Sequence, residues 1–196
     1  MVTSNSVIGD NPFVYGEIVS AAAFADREEE RERLGRDLAS GQKVFLISPR
    51  RYGKSSLVRD VMRGLARRKM LTVEVTVAAS SSYLGFLESY ARALVAADTP
   101  AGRLKRWTAE LLGAIHPELR FAVDPAGGTK FTIGFPSVRT ARDTARVAAE
   151  VFALPARIAE ARKQRLAIAL DEFQAITSFD GGTVENSLRA AVQDQR

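Results

Sequence analysis

The spacing of hydrophobic positions changes several times along this chain, and each change predicts an element. Leu34 and Leu38 lie one helical turn apart behind an acidic first turn of Glu28, Glu29 and Glu30, so a helix is expected from about Asp26 until Gly41 ends it. A continuous apolar run, Val44-Phe45-Leu46-Ile47, predicts a strand that stops at Ser48-Pro49. The pairs Leu57-Val58, Val61-Met62 and Leu65-Ala66 then repeat with helical period, and the pattern runs out in Arg67-Arg68-Lys69, which suits a helix C-terminus. Leu71 to Val77 alternates and is rich in β-branched residues, a second strand. Ser80-Ser81-Ser82 precedes a helix bearing Tyr83, Phe86, Leu87, Tyr90 and Leu94. Another helix is expected over Ala101 to Ile115, with Leu104, Trp107, Leu111 and Leu112 facing inward. The aromatic residues of both helices are assigned to core packing. Leu119 to Val123 and Thr129 to Phe135 alternate on either side of Asp124-Pro125-Ala126-Gly127-Gly128, which predicts a β-hairpin. An alanine-rich helical stretch follows from about Thr140 to Gln164, expected to break at Pro155. Leu166 to Leu170 is again continuously apolar, as in a strand covered on both faces, and a helix is expected from about Val184 through Leu188-Arg189.

Strands alternating with helices make this an α/β chain: a parallel sheet flanked by helices, with residues 80–139 read as an insertion of helices and a hairpin. At 196 residues and 46% hydrophobic it suits one domain with a sizeable core, preceded by an irregular segment over residues 1–25. Composition narrows the chemistry. There is no cysteine, so disulfides and thiolate zinc sites are excluded, and the single histidine, His116, is read as a surface residue at a helix end. No apolar run approaches transmembrane length and Met1 to Ser6 lacks a signal-peptide pattern, so the expected setting is cytoplasmic, with no membrane partner. The net charge is +5, with basic residues gathered at Arg50, Arg51, Arg59, Arg63 and Arg67 to Lys69, and again at Arg103, Lys105 and Arg106. That balance permits nucleic-acid contact, but no aromatic-basic stripe or DNA-reading motif accompanies it, so a nucleotide site plus a solvated helix face is the preferred reading.

The stretch from Lys43 to Ser56, KVFLISPRRYGKSS, carries the candidate chemistry. A strand, a tight loop and a helix opening with Gly53-Lys54-Ser55-Ser56 are the setting of a phosphate-binding P-loop (Walker A). The N–H groups of a first helical turn have no intrahelical partner, and the helix dipole favours negative charge there. Gly53 would let the backbone approach phosphates closely; Lys54 would supply a point charge, and the Ser55 hydroxyl a Mg²⁺ ligand. The phosphate-binding set is thus Ser48, Pro49, Arg50, Arg51, Tyr52, Gly53, Lys54, Ser55 and Ser56. One position departs from the pattern: Ser48 stands where the first glycine usually is, and Pro49 confines it to extended backbone while offering no N–H. The competing reading is an ordinary, basic strand–helix connection.

A second apolar strand delivers Asp171-Glu172 at its C-terminal end, which is the Walker B arrangement. Asp171 would hold Mg²⁺ opposite Ser55, and Glu172 would polarise the attacking water as a general base. The competing reading is a carboxylate pair facing solvent.

Taken together, NPFVYG at 11 to 16, FADREEE at 24 to 30, PRRYGKSSL at 49 to 57 and LDEFQ at 170 to 174 resemble the archaeal-type P-loop ATPases. That family stands with the AAA+-like signal-transduction ATPases and is related to the origin-recognition ATPases. Tyr52 ahead of Gly53 and Phe173-Gln174 after the acidic pair are its most diagnostic features here, while residues 80–165 match loosely. The resemblance implies a P-loop NTPase fold, ATP phosphates on Ser48 to Ser56, Mg²⁺ on Ser55 and Asp171, Glu172 as the catalytic carboxylate, and Val14 to Arg27 near the adenine. It also implies a sheet of order 5-1-4-3-2. Only three strands of such a sheet are expected here, at Val44–Ile47, Leu71–Val77 and Leu166–Leu170, so the chain is read as a C-terminally truncated piece that lacks the last strands and lid.

The leading functional expectation is an ATP-binding, Mg²⁺-dependent ATPase (a hydrolase) acting as a molecular switch on a protein client. In-line phosphoryl transfer needs positioning and charge neutralisation above all. A nucleotide-gated regulator without turnover is a second reading, against which an intact Glu172 argues. A DNA-associated ATPase module is a third, allowed by the basic helix ends.

Overall fold

The computed structural model describes residues 27–49, 52–98, 112–123, 129–179 and 188. They belong to two compact units, Met1–Gly64 and Leu65–Arg196. The expectations for residues 1–25, for most of the helix at 101–115 and for the helix from Val184 fall outside the described residues, as do Arg50 and Arg51.

In the first unit, helix α1 spans Glu28–Ala39, with Glu28, Glu29 and Glu30 at its positive end and Arg36 in its last turn. Leu34 is its buried residue. Ser40 N–H returns to the Arg36 carbonyl at 2.9 Å, and Gly41 turns the chain away at φ +82°, a conformation that glycine adopts without strain. Helix α2 spans Lys54–Arg67 and runs on into the second unit. Leu57, Val61 and Met62 are its buried apolar positions in the first unit, one face of a helical period. The two helices approach where a Cβ on Gly35 would lie 3.9 Å from Val61 Cγ1, beside an Arg31–Asp60 ion pair at 3.7 Å.

The strand expected over Val44–Ile47 is not formed. Residues 42–49 adopt neither helix nor strand, with Phe45 81% and Ile47 94% exposed. Apolar composition favours a strand only where a neighbouring strand takes up the backbone N–H and C=O groups, and no described strand pairs with this segment.

In the second unit, β1 (Leu71–Thr76) and β4 (Leu166–Asp171) pair in parallel, from Leu71 opposite Leu166 to Thr76 opposite Asp171. Alternation places Val73 and Val75 in the core and Glu74 in solvent. In β4 only Ala167 is fully buried; Leu166, Ile168 and Leu170 are half-buried, so a strand expected to be covered on both faces is covered less completely. Helix α3 (Tyr83–Asp98) packs on β1, its start capped by Ser82 Oγ, which accepts the Gly85 N–H at 3.1 Å. Phe86, Leu87, Tyr90 and Leu94 are buried in the core as expected, and burial pushes the Tyr90 hydroxyl pKa up. The hairpin of β2 (Glu118–Val123) and β3 (Thr129–Gly134) is present and antiparallel, with Phe121 opposite Phe131. It is tied to α3 by Glu88 Oε1, which accepts the Phe135 N–H at 3.2 Å, and Ile133 and Phe135 enter the same core as α3. His116 is exposed at a positive φ after a 3₁₀ turn.

Helix α4 (Ala141–Arg162) does not break at Pro155. Proline inside a helix removes one hydrogen bond and crowds the preceding turn, at about 3 kcal/mol. Against that stand five large apolar side chains buried along one helix, Val147, Val151, Phe152, Leu154 and Ile158, each contributing about 1.5–3 kcal/mol. Burial wins, and Pro155 is itself buried. The helix opens with a reciprocal cap: Thr140 Oγ1 accepts the Asp143 N–H at 3.2 Å, and Asp143 Oδ2 accepts the Thr140 N–H at 3.0 Å. The Thr140 hydroxyl first, then the backbone N–H groups of Arg139 and Thr140, hold the Asp143 carboxyl below its usual range. A depressed carboxyl contributes stability at neutral pH that is lost as the pH falls through its folded-state value. Thr140→Ala is expected to cost about 1 kcal/mol in urea unfolding, the usual loss of an N-cap. An unchanged midpoint would show that the cap contributes nothing.

Candidate functional site

The expected phosphate loop is best defined at its C-terminal end. Gly53 adopts φ +67°, and its carbonyl accepts the first intrahelical bond from Leu57 N–H at 2.9 Å. Lys54 and Ser55 are therefore the first two residues of α2, and the N–H groups of that turn precede the first helical bond. No acidic residue dilutes the positive end of the helix. Lys54 and Ser55 are half-buried and Ser56 is buried. A Cβ on Gly53 would meet Arg27 Nη1 at 3.9 Å, an ordinary contact. What requires glycine at this position is the left-handed backbone, more than close approach.

Arg27 braces this corner. Its Nη1 donates to the Tyr52 carbonyl at 2.6 Å, while its Nε and Nη2 hold the Glu30 carboxylate, the former at 2.6 Å. The loop end is thus tied to the start of α1 by a guanidinium whose orientation a carboxylate fixes. The sequence placed Arg27 in the FADREEE stretch and at the end of a segment near the adenine. Nothing in local spacing links it to Tyr52; the one available signal was the arginine–glutamate pair at i,i+3. The Tyr52 side chain is largely exposed, and at the other end of the loop Ser48 Oγ faces the Pro49 carbonyl at 3.5 Å.

The acidic half lies in the second unit. Asp171 is the last residue of β4 and half-buried; its Oδ1 accepts the Glu172 N–H at 2.9 Å. Glu172 leaves the strand in the left-handed conformation (φ 52°, ψ 40°), sparsely populated by non-glycine residues. Its carbonyl accepts the Ala175 N–H at 3.0 Å, opening a 3₁₀ turn over Phe173–Ser178. Gln174 reaches back from that turn, its Nε2 donating to Glu172 Oε2. Ile176 and Phe179 anchor the turn in the core. The structure thus brings Asp171, Glu172 and Gln174 together at the strand end, and Gly53, Lys54, Ser55 and Ser56 together at the helix start. The two groups belong to different units.

Among the described residues no group of three or more His, Cys, Asp or Glu side chains is arranged to hold a metal ion. Each taken by itself, the Ser55 hydroxyl and the Asp171 carboxylate are hard oxygen donors of the kind Mg²⁺ accepts. No helix of the described residues is long and apolar enough to cross a membrane. Comparison with family models, with curated proteins and with solved structures finds no match.

Proposed function

We propose that this chain is an ATP-binding, Mg²⁺-dependent ATPase of the P-loop type, a molecular switch or regulatory module akin to the archaeal-type ATPases it resembles. The observation that carries the reading is the left-handed Gly53 opening α2 directly with Lys54 and Ser55. A glycine corner, a helix N-terminus and a lysine at its first position together make a cradle for the phosphates of a nucleotide. The adjacency of β1 and β4 supports it further, since a 5-1-4-3-2 sheet places its second and third strands side by side and in parallel.

In this reading the stretch from Ser48 to Ser56, Arg50 and Arg51 included, holds the phosphates. Ser55 and Asp171 would hold Mg²⁺, which supplies neutralisation of the phosphate charge. Lys54 stabilises the charge that builds on the transferred phosphoryl group. Glu172 accepts a proton from water as the water oxygen bonds to the γ-phosphorus and the bond from that phosphorus to the β,γ-bridging oxygen breaks, leaving ADP and inorganic phosphate.

Mg-ATP at a hundredfold excess over its dissociation constant should stabilise the native chain by about 2.7 kcal/mol and raise its melting temperature accordingly. Lys54→Ala should lose most of that shift. An equal shift in both proteins would overturn the phosphate-loop assignment.

A further inference from the structure

Gln174 has no part in the chemistry above, yet its side chain is committed to the Glu172 carboxylate. We infer that Gln174 is a positioning residue, which fixes the orientation of that carboxylate through its Nε2–Oε2 hydrogen bond. The inference rests on the reading of Glu172 as the general base.

Three observations carry it. An ionised carboxylate only accepts hydrogen bonds, so it is the amide NH₂ of Gln174 that faces it. Glu172 leaves β4 in a left-handed conformation, and Asp171 Oδ1 holds its N–H, so its backbone is constrained from both sides. The side chain beyond that backbone has three rotatable bonds, whose freedom must be given up when the carboxylate is ordered. A donor two residues on, carried by a 3₁₀ turn anchored through Ile176 and Phe179, holds Oε2 in place before any substrate arrives. Gln174 itself is exposed, so packing does not account for its orientation. The bond leaves Oε1 as the oxygen for the proton of the attacking water.

The test combines resonance and kinetic measurements on the whole chain. In ¹H–¹⁵N spectra the Gln174 side-chain NH₂ should show one proton shifted from the free-amide position and slowed in exchange, and Glu172→Ala should return it to that position. In Mg-ATP turnover, Gln174→Met, which keeps length and removes the donor, should lower kcat roughly ten- to hundredfold, the scale of a misplaced catalytic group, with KM little changed. Gln174→Glu should lower it further, because two carboxylates would repel. Thermal stability should hold in both variants, since the side chain is solvent-facing.

A Gln174 amide indifferent to Glu172→Ala overturns the inference, whatever the turnover. So does unchanged kcat in Gln174→Met when Glu172→Gln abolishes turnover. If Glu172→Gln itself leaves turnover intact, the reading of Glu172 as the base fails and the inference falls with it, a result the first two cannot produce.

Discussion

Phe86→Ala should be the most destabilising single substitution tested in the second unit, at about 3–5 kcal/mol. Phe86 is fully buried, and its ring lies 5.8 Å from that of Tyr90 and 6.1 Å from that of Phe179. Tyr90 in turn meets Phe152 edge-on at 5.9 Å. The ring therefore joins α3 to the segment after the acidic strand end, with α4 one contact further. Truncation leaves a cavity that this close-packed cluster cannot easily collapse, and it loses aromatic pairings worth about 0.5–1.5 kcal/mol each beyond area burial. Set against a typical domain stability of about 5–15 kcal/mol, such a loss takes up much of the margin. Urea unfolding followed by far-ultraviolet circular dichroism measures it. A cost below about 1 kcal/mol would mean that the aromatic cluster is not the centre of the core.

Glu172→Gln should slow ATP hydrolysis by roughly a hundredfold or more while ATP affinity is kept. A hundredfold corresponds to about 2.7 kcal/mol of transition-state stabilisation. Glutamine keeps the shape of the side chain and can still pair with the Gln174 amide, so the strand end remains intact and only the ability to take a proton is lost. Affinity should survive because phosphate binding is assigned to the Ser48–Ser56 loop. Single-turnover hydrolysis together with a binding titration separates the two quantities. Unchanged turnover would show that another group activates water, and lost affinity would show that Glu172 binds the nucleotide.

Much of this architecture was readable in the sequence because it is local. Alternation alone located β1 and the hairpin, and a 3.6-residue period ending in basic residues located α2, whose start at Gly-Lys-Ser is a glycine effect within one turn. What the sequence concealed depends on partners far along the chain. Val44 to Ile47 has strand composition, but whether it forms a strand depends on a neighbour it does not encode. Pro155 reads as a helix break until the burial of the surrounding apolar face is counted. In the candidate site, the order of residues placed Asp171 at its strand end correctly. The left-handed turn at Glu172 and the bond from Arg27 to Tyr52 have no local signature, since the first occurs at a non-glycine residue and the second spans 25 positions.

The uncovered apolar segment before α2 also bears on how the protein behaves at high concentration. Val44, Phe45, Leu46 and Ile47 combine β-branched and aromatic side chains with no proline and no charge among them, the composition from which intermolecular β-pairing and aggregation start. The run is short, and its borders oppose growth. Lys43 stands immediately before it, while Pro49, Arg50 and Arg51 follow one residue after its end. Charges and a proline in such places act as gatekeepers: a stacked second copy would have to bring like charges together, and Pro49 offers no N–H to extend a ladder. Arg50 and Arg51 thus have a colloidal role alongside the one proposed at the phosphates. Replacing them to probe nucleotide binding would at the same time remove a barrier to self-association.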